Sequence, residues 1–180
     1  FKTDKIKFNK WLEKITDKEL EGYFIFSVIR NPWDRLVSIS SYFKIPFNKF
    51  INAIDEHRKQ PMIFQHSRPL SLYTHLNGKQ FVDYICRFEC LQADINIIFD
   101  KISIKRQKLP FVNRSNHKHY TFYYTKKEVE LVKKFYKEDI MNFGYSFNES
   151  KQPLTPLFIL RLRDKIFYKI FGKRFHKYLT

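Results

Sequence analysis

Glycine occurs only four times in the 180 residues, which limits both tight turns and Gly-built phosphate loops. Cysteine is nearly as scarce. Cys86 and Cys90 offer no disulfide framework, and at a spacing of four they lack the further ligands that a zinc site needs. They read as buried free thiols. No apolar run is long enough to span a bilayer and no signal peptide is recognisable, so a reducing cytoplasmic setting is expected. The chain opens on Phe1 rather than Met, which leaves upstream targeting information open. Internal repeats and low-complexity tracts are also missing.

Apolar material, by contrast, is plentiful. Hydrophobic residues make up 43% of the chain and aromatic residues 18%, the composition of one globular domain with a real core. Heavy use of Lys, Ile, Phe, Asn and Tyr fits an AT-rich bacterial genome. The net charge is +16, from 34 Lys and Arg against 18 Asp and Glu. Residues 101–120 hold six basic residues and no acid, and residues 161–180 hold seven with only Asp164 opposing them. Taking those two +6 segments away leaves +4 on the other 140 residues, so the excess sits in two patches. Local patches point to an anionic ligand in one place and an anionic surface or partner in another.

Residues 5–20 have the spacing of a short amphipathic helix, which Gly22 ends. Tyr23 to Ile29 is a continuous β-branched and aromatic run, the pattern of a strand buried on both faces in a parallel sheet. Asn31-Pro32 stops it, and from Trp33 the apolar spacing turns helical up to Phe43. Phe47 to Ile54 fits a helix and Gln60 to Ser71, interrupted by proline, a loop. Phe81 to Cys86 reads as a second strand, Leu91 to Phe99 as a helix, and Lys105 to His119 as a basic loop. Thr125 with Glu128 three residues on forms a capping box for a helix running to about Asp139. Beyond Pro153 and Pro156, Leu157 to Leu179 is a basic amphipathic helix. The domain expectation is thus an α/β body over 1–150 and an appended basic helix over 151–180.

Strand, sharp basic turn and helix together open an α/β phosphate site. Arg30 sits where the strand emerges and can grip a phosphate with two prongs, while Ser38 adds a neutral hydroxyl donor. The helix start offers its N–H groups and positive dipole end to the same space. The alternative reading of Arg30 is a plain ion pair with a neighbouring carboxylate, and Asp34 and Arg35 could pair with each other or with the strand ends.

The run Ile29-Arg-Asn-Pro-Trp-Asp-Arg-Leu-Val-Ser38 resembles the 3′-phosphate-binding motif of the Golgi-type and bacterial carbohydrate sulfotransferases, whose donor is 3′-phosphoadenosine 5′-phosphosulfate. Further segments resemble the same family in the same order. His66-Ser-Arg-Pro-Leu70 is similar to its His-x-basic-Pro-Gln segment, with Leu70 in place of Gln. Arg87-Phe-Glu89 with Leu91 is similar to its Arg-Phe-Glu-Asn-Leu junction, with Cys90 in place of Asn. Leu109-Pro110, Asn113 to Ser115, Tyr123 to Thr125 and Asp139 to Phe147 resemble its C-terminal stretch. The resemblance covers residues 23 to 147.

The resemblance implies an α/β fold of the P-loop nucleotide hydrolase type, a parallel sheet flanked by helices. It implies that Arg30 and Ser38 hold the donor's 3′-phosphate, aided by Arg114 and Ser115. His66 is the candidate base for an acceptor hydroxyl, with Glu89 as the alternative. Against these stand a loop histidine with local hydrogen bonds and a strand-end carboxylate paired with Arg87. The acceptor implied is a saccharide or glycolipid, and no metal is expected. His117 and His119, on alternate residues with no acidic partner, make a weak ligand pair. The C-terminal helix suits either an anionic membrane surface, peripheral on the inner membrane, or plain packing.

One element of the family pattern has no counterpart here. Residues 1–29 contain no Lys, Ser, Thr and Gly loop to cradle a 5′-phosphosulfate. The expectation is an N-terminally incomplete member or a degenerate, non-catalytic membrane-associated remnant. A nucleic-acid-binding protein is the other rival for +16, but the split charge and the lack of a recognised binding motif speak against it. A phosphoryl transferase would need the Gly-x-x-x-x-Gly-Lys loop that is not found.

Overall fold

The computed structural model describes residues 22–57, 61–110, 112 and 117–147, which all belong to one compact unit ending at Phe147. The helices expected over 5–20 and 157–179, and the candidate ligands Arg114 and Ser115, lie outside the described residues. Strand β1 (Phe26–Ile29) leads into helix α1 (Pro32–Tyr42) and the short helices α2 (Phe47–Asn52), α3 (Ile54–His57) and α4 (Pro61–His66). A 3₁₀ turn (Leu70–Tyr73) precedes the two-residue strands β2 (His75–Leu76) and β3 (Lys79–Gln80). Then come β4 (Tyr84–Arg87), helix α5 (Leu91–Lys101), α6 (Lys126–Phe135) and α7 (Lys137–Phe143).

Strands β1 and β4 pair in parallel, Phe26 with Tyr84 through Ile29 with Arg87, and β2 and β3 form a separate antiparallel pair. The mixed α/β architecture with a parallel sheet and flanking helices matches the expectation. Residues alternate between the faces of a strand, and paired residues share one. On one face Ile29 and Ile85 join the main core with Trp33, Leu36, Val37, Phe50, Ile51, Val132 and Tyr136. On the other, Tyr84 and Cys86 pack with Ile98, Leu91 and Ile95 of α5.

The described residues do not cover that second face along its whole width. Phe26 and Val28 are 44% and 38% exposed, so β1 is not the doubly buried strand that its apolar run suggested. A periodicity argument counts apolar residues but cannot say how far a helix distant in sequence extends across the sheet. Two further boundaries differ. Pro61 does not interrupt a loop but opens α4 from the first-turn position, where its missing N–H costs nothing. The helix from Thr125 stops at Tyr136 (φ −112°, ψ 30°), and a second, α7, runs on to Gly144, whose φ of 67° closes it in the left-handed conformation. The capping box at Thr125 and Glu128 forms as expected. Among the described residues no helix is long and apolar enough to cross a membrane.

The β4–α5 junction is held by Asp94, a buried carboxylate that accepts the Arg87 N–H at 2.6 Å and the Tyr84 hydroxyl at 3.1 Å. The Cys90 thiol, 3.5 Å from the same carboxylate, is pushed up to about 11 by burial first and then by the Asp94 charge. Relative to an ordinary thiol at 9.0, its thiolate is scarcer at pH 8 by about a hundredfold. The greater nucleophilicity of a more basic thiolate restores about tenfold of that. Cys90 should therefore alkylate about tenfold slower than a free thiol at pH 8 by peptide mass spectrometry, with Cys86 unmodified in the native protein. Labelling of Cys90 at the free-thiol rate would show that neither its burial nor the Asp94 contact holds in solution.

Candidate functional site

The turn between β1 and α1 is organised by Asn31. Its side-chain oxygen accepts the N–H groups of Trp33 at 3.0 Å and Asp34 at 3.3 Å, its carbonyl accepts Arg35 N–H at 2.9 Å, and Pro32 occupies the first helical position. The first-turn donors of α1 are therefore all used or absent. This corrects the expectation that the helix start presents free N–H groups to a phosphate. An asparagine cap satisfies internally the donors that an anion would otherwise take. Side chains have to supply the contacts instead.

Those side chains open into a cleft of about 830 Å³. Its lining includes Arg30, Arg35, Ser38, Tyr42, His66 and Phe88. Arg35, Ser38 and Tyr42 come from one face of α1, three and four residues apart, while Trp33, Leu36 and Val37 turn the opposite face into the core. No irregularity of the helix is needed to bring Ser38 and Arg30 to the same cavity. Arg30 forms the ion pair with a neighbouring carboxylate that is one of its two readings, and it also lines the cleft. Its Nε bonds Asp34 at 2.6 Å, and its guanidinium lies 4.3 Å from the centre of the Phe88 ring. A planar fork held by one edge and one ring face keeps its Nη edge in a defined direction.

His66 ends α4, is exposed on the cleft wall, and packs against Tyr42 and Phe43 with ring centroids 6.0 and 5.8 Å away. Glu89 is not among the cleft residues. Its carboxylate accepts the Asn31 N–H at 2.6 Å and the Tyr145 hydroxyl at 3.1 Å, so it braces the turn from behind. Arg87 stacks 4.8 Å from the Tyr145 ring and donates to the Phe143 carbonyl. His117 and His119 hydrogen-bond locally, to Lys118 and Thr121, and among the described residues no group of three or more His, Cys, Asp and Glu could hold a metal.

Several contributors escape a reading of the sequence. Asn31 left a signal, since an asparagine before proline and an apolar helix is a cap pattern. Arg35 left none. Its guanidinium reaches the carbonyls of His66 and of Arg68, the latter at 2.6 Å, and burial holds its pKa below the usual arginine range. Asp139 left none either. It accepts the N–H groups of Leu70 at 2.7 Å and Ser71 at 2.8 Å, and burial raises its carboxyl above the usual value. Since Asn31 caps α1 and ties it to Ser146 by a 3.3 Å bond, Asn31→Ala should cost about 2 kcal/mol in urea denaturation. A loss below about 0.5 kcal/mol would mean that the cap contributes little.

Comparison with known proteins agrees with this geometry. The sulfotransferase family model matches residues 2–146. An uncharacterized protein of Archaeoglobus fulgidus is 30% identical over 100 residues, covering 52% of this chain and 79% of the relative. No solved structure matches. With the match extending over the sheet, the Asn31 turn and the cleft, the chain belongs to the sulfotransferase family.

Proposed function

We propose that the cleft binds 3′-phosphoadenosine 5′-phosphosulfate by its 3′-phosphate, through Arg30 and Ser38, and that sulfonate passes from it to a saccharide hydroxyl. The observation that carries this reading is the common cleft. Arg30, held by Asp34 and Phe88, and Ser38, three residues beyond Arg35 on the open face of α1, line one cavity. The phosphate would replace water at the Nη edge of Arg30 and at the Ser38 hydroxyl, contacts strengthened by its full charge. Arg114 and Ser115 extend the donor site in this reading.

Transfer would break the bond between sulfur and the 5′-phosphate oxygen as the acceptor oxygen bonds to sulfur. The nucleotide 3′,5′-bisphosphate leaves with the electron pair, and the acceptor proton goes to a base. His66 fits that role better than Glu89, because His66 lines the cleft while the Glu89 carboxylate is occupied by Asn31 and Tyr145. The charge building on the leaving phosphate calls for a cation beyond those named, and no run within residues 1–29 resembles the family's loop for it. Donor binding and sulfonate turnover are accordingly separate questions. The appended segment over 151–180, with seven basic residues in its last twenty, suits an anionic inner-membrane surface. On that surface the acceptor would be a bacterial glycolipid or a lipid-linked saccharide.

Isothermal titration with 3′-phosphoadenosine 5′-phosphate tests the reading. Arg30→Ala should weaken binding by about 10- to 100-fold, through loss of charge-assisted bonds and exposure of Asp34 to the phosphate, and Ser38→Ala by about 3- to 10-fold. Equal affinity of wild type and Arg30→Ala, or no binding at all, would sink the donor assignment.

A further inference from the structure

The turn before helix α1 brings Arg30 to the cleft and the helix itself brings Arg35, and the two do different work. Arg30 keeps an edge toward the cavity. Arg35 points its fork at the backbone of the opposite wall, with Nη1 donating to the Arg68 carbonyl at 2.6 Å and Nη2 to the His66 carbonyl. The segment it grips, His66 to Ser71, is held from its other side by two more groups. The Tyr136 hydroxyl, at the joint between α6 and α7, donates to the Ser67 carbonyl at 2.7 Å. The Asp139 carboxylate, from α7, accepts the N–H groups of Leu70 and Ser71. Three consecutive carbonyls and two consecutive N–H groups of one short segment are thus taken by three side chains from distant parts of the chain. Ser67 and Ser71 are buried at its middle and end, while His66 stands exposed at its start.

We infer that Arg35, Tyr136 and Asp139 form a clamp that sets where the His66 imidazole stands relative to Ser38, making them positioning residues rather than ligands. The inference rests on the cleft of the preceding section being the donor site. Arg35 lies three residues before Ser38 on the same rigid helix, so a planar two-pronged bond from Arg35 to the His66 segment fixes the separation of the two walls. A lysine there could satisfy one carbonyl but has no fork to hold a second in the same plane. The charges agree with this assignment. Burial lowers the Arg35 pKa, the Asp139 carboxylate opposes that shift, and Arg30 adds to it. The ring contacts of His66 with Tyr42 and Phe43 then orient an imidazole whose backbone is already placed.

The test uses the whole chain, without ligand, and the carbon–proton NMR signal of the His66 Cε1 position, identified through His66→Gln. Arg35→Lys and Tyr136→Phe should each shift the His66 signal, while His119, which hydrogen-bonds Thr121, serves as the reference and stays unmoved. Tyr136→Phe should also leave affinity for 3′-phosphoadenosine 5′-phosphate within about twofold, because the hydroxyl it removes bonds the Ser67 carbonyl rather than Arg30 or Ser38. Where turnover is measurable, it should lower kcat by about tenfold with little change in KM for the donor. A His66 signal unchanged in both folded variants overturns the clamp. So does a loss of nucleotide affinity in Arg35→Lys as steep as in Arg30→Ala with His66 unmoved, since Arg35 would then be a ligand. Should Arg35→Lys fail to fold, Tyr136→Phe, which removes one hydroxyl and keeps the ring, carries the same readout. Failure of the wild type to bind the nucleotide would defeat the donor assignment alone, because the His66 signal is read without ligand.

Discussion

Every polar group of Asn31 is engaged at a single turn, and the site is arranged around that fact. Its N–H goes to Glu89, its carbonyl to the first turn of α1, its side-chain oxygen to two N–H groups of the same helix, and its amide nitrogen to the Ser146 carbonyl. One residue, 3% exposed, therefore fastens the end of β1, the start of α1, the segment after β4 and the chain near Tyr145. A buried amide that lost one of these partners would leave a donor or acceptor unsatisfied in a tightly packed place, so the arrangement holds as a unit. Arg30, immediately before it, has its exit direction set by the same turn.

Fixing the turn this way has a chemical consequence. Because the helix start is capped from within, any contact to an anion there would fall to charged and hydroxyl side chains, whose placement depends on what else they touch. Arg30 bonds Asp34 with one edge only and lines the cleft. Arg35, five residues on, binds backbone carbonyls across the cavity. Two arginines five residues apart, one in the turn and one on the helix, are directed to the cavity and to the backbone by their surroundings. Glu89 shows the same principle with the opposite charge, since its carboxylate is drawn to Asn31 and Tyr145 rather than to the cavity.

Much of this organisation was legible from local pattern. The strand–turn–helix around Asn31-Pro32, the capping box at Thr125 and Glu128, and the helix from Leu91 rest on interactions between residues a few positions apart, which propensity and spacing report directly. The candidate pair Arg30 and Ser38 was legible for the same reason, as both belong to one turn and the helix after it. The role of His66 to Ser71, inside the stretch read as loop, was not. Its fixed shape comes from Arg35, Tyr136 and Asp139, which are 31 to 69 residues away from the atoms they bind.

The sequence by itself determined the local units of this protein: an apolar strand run stopped by Asn31-Pro32, a helix with one apolar face, and a basic residue at their junction, because each depends on steric and hydrogen-bonding rules that act over one or two turns. Only the tertiary structure decided which charges face the cavity. It turned Arg30 and His66 toward the cleft and Glu89 away from it, and it committed Arg35 to the His66 segment. That choice depends on which carbonyls, carboxylates and rings arrive from elsewhere in the chain to compete for each charge, and no spacing within a single segment encodes it.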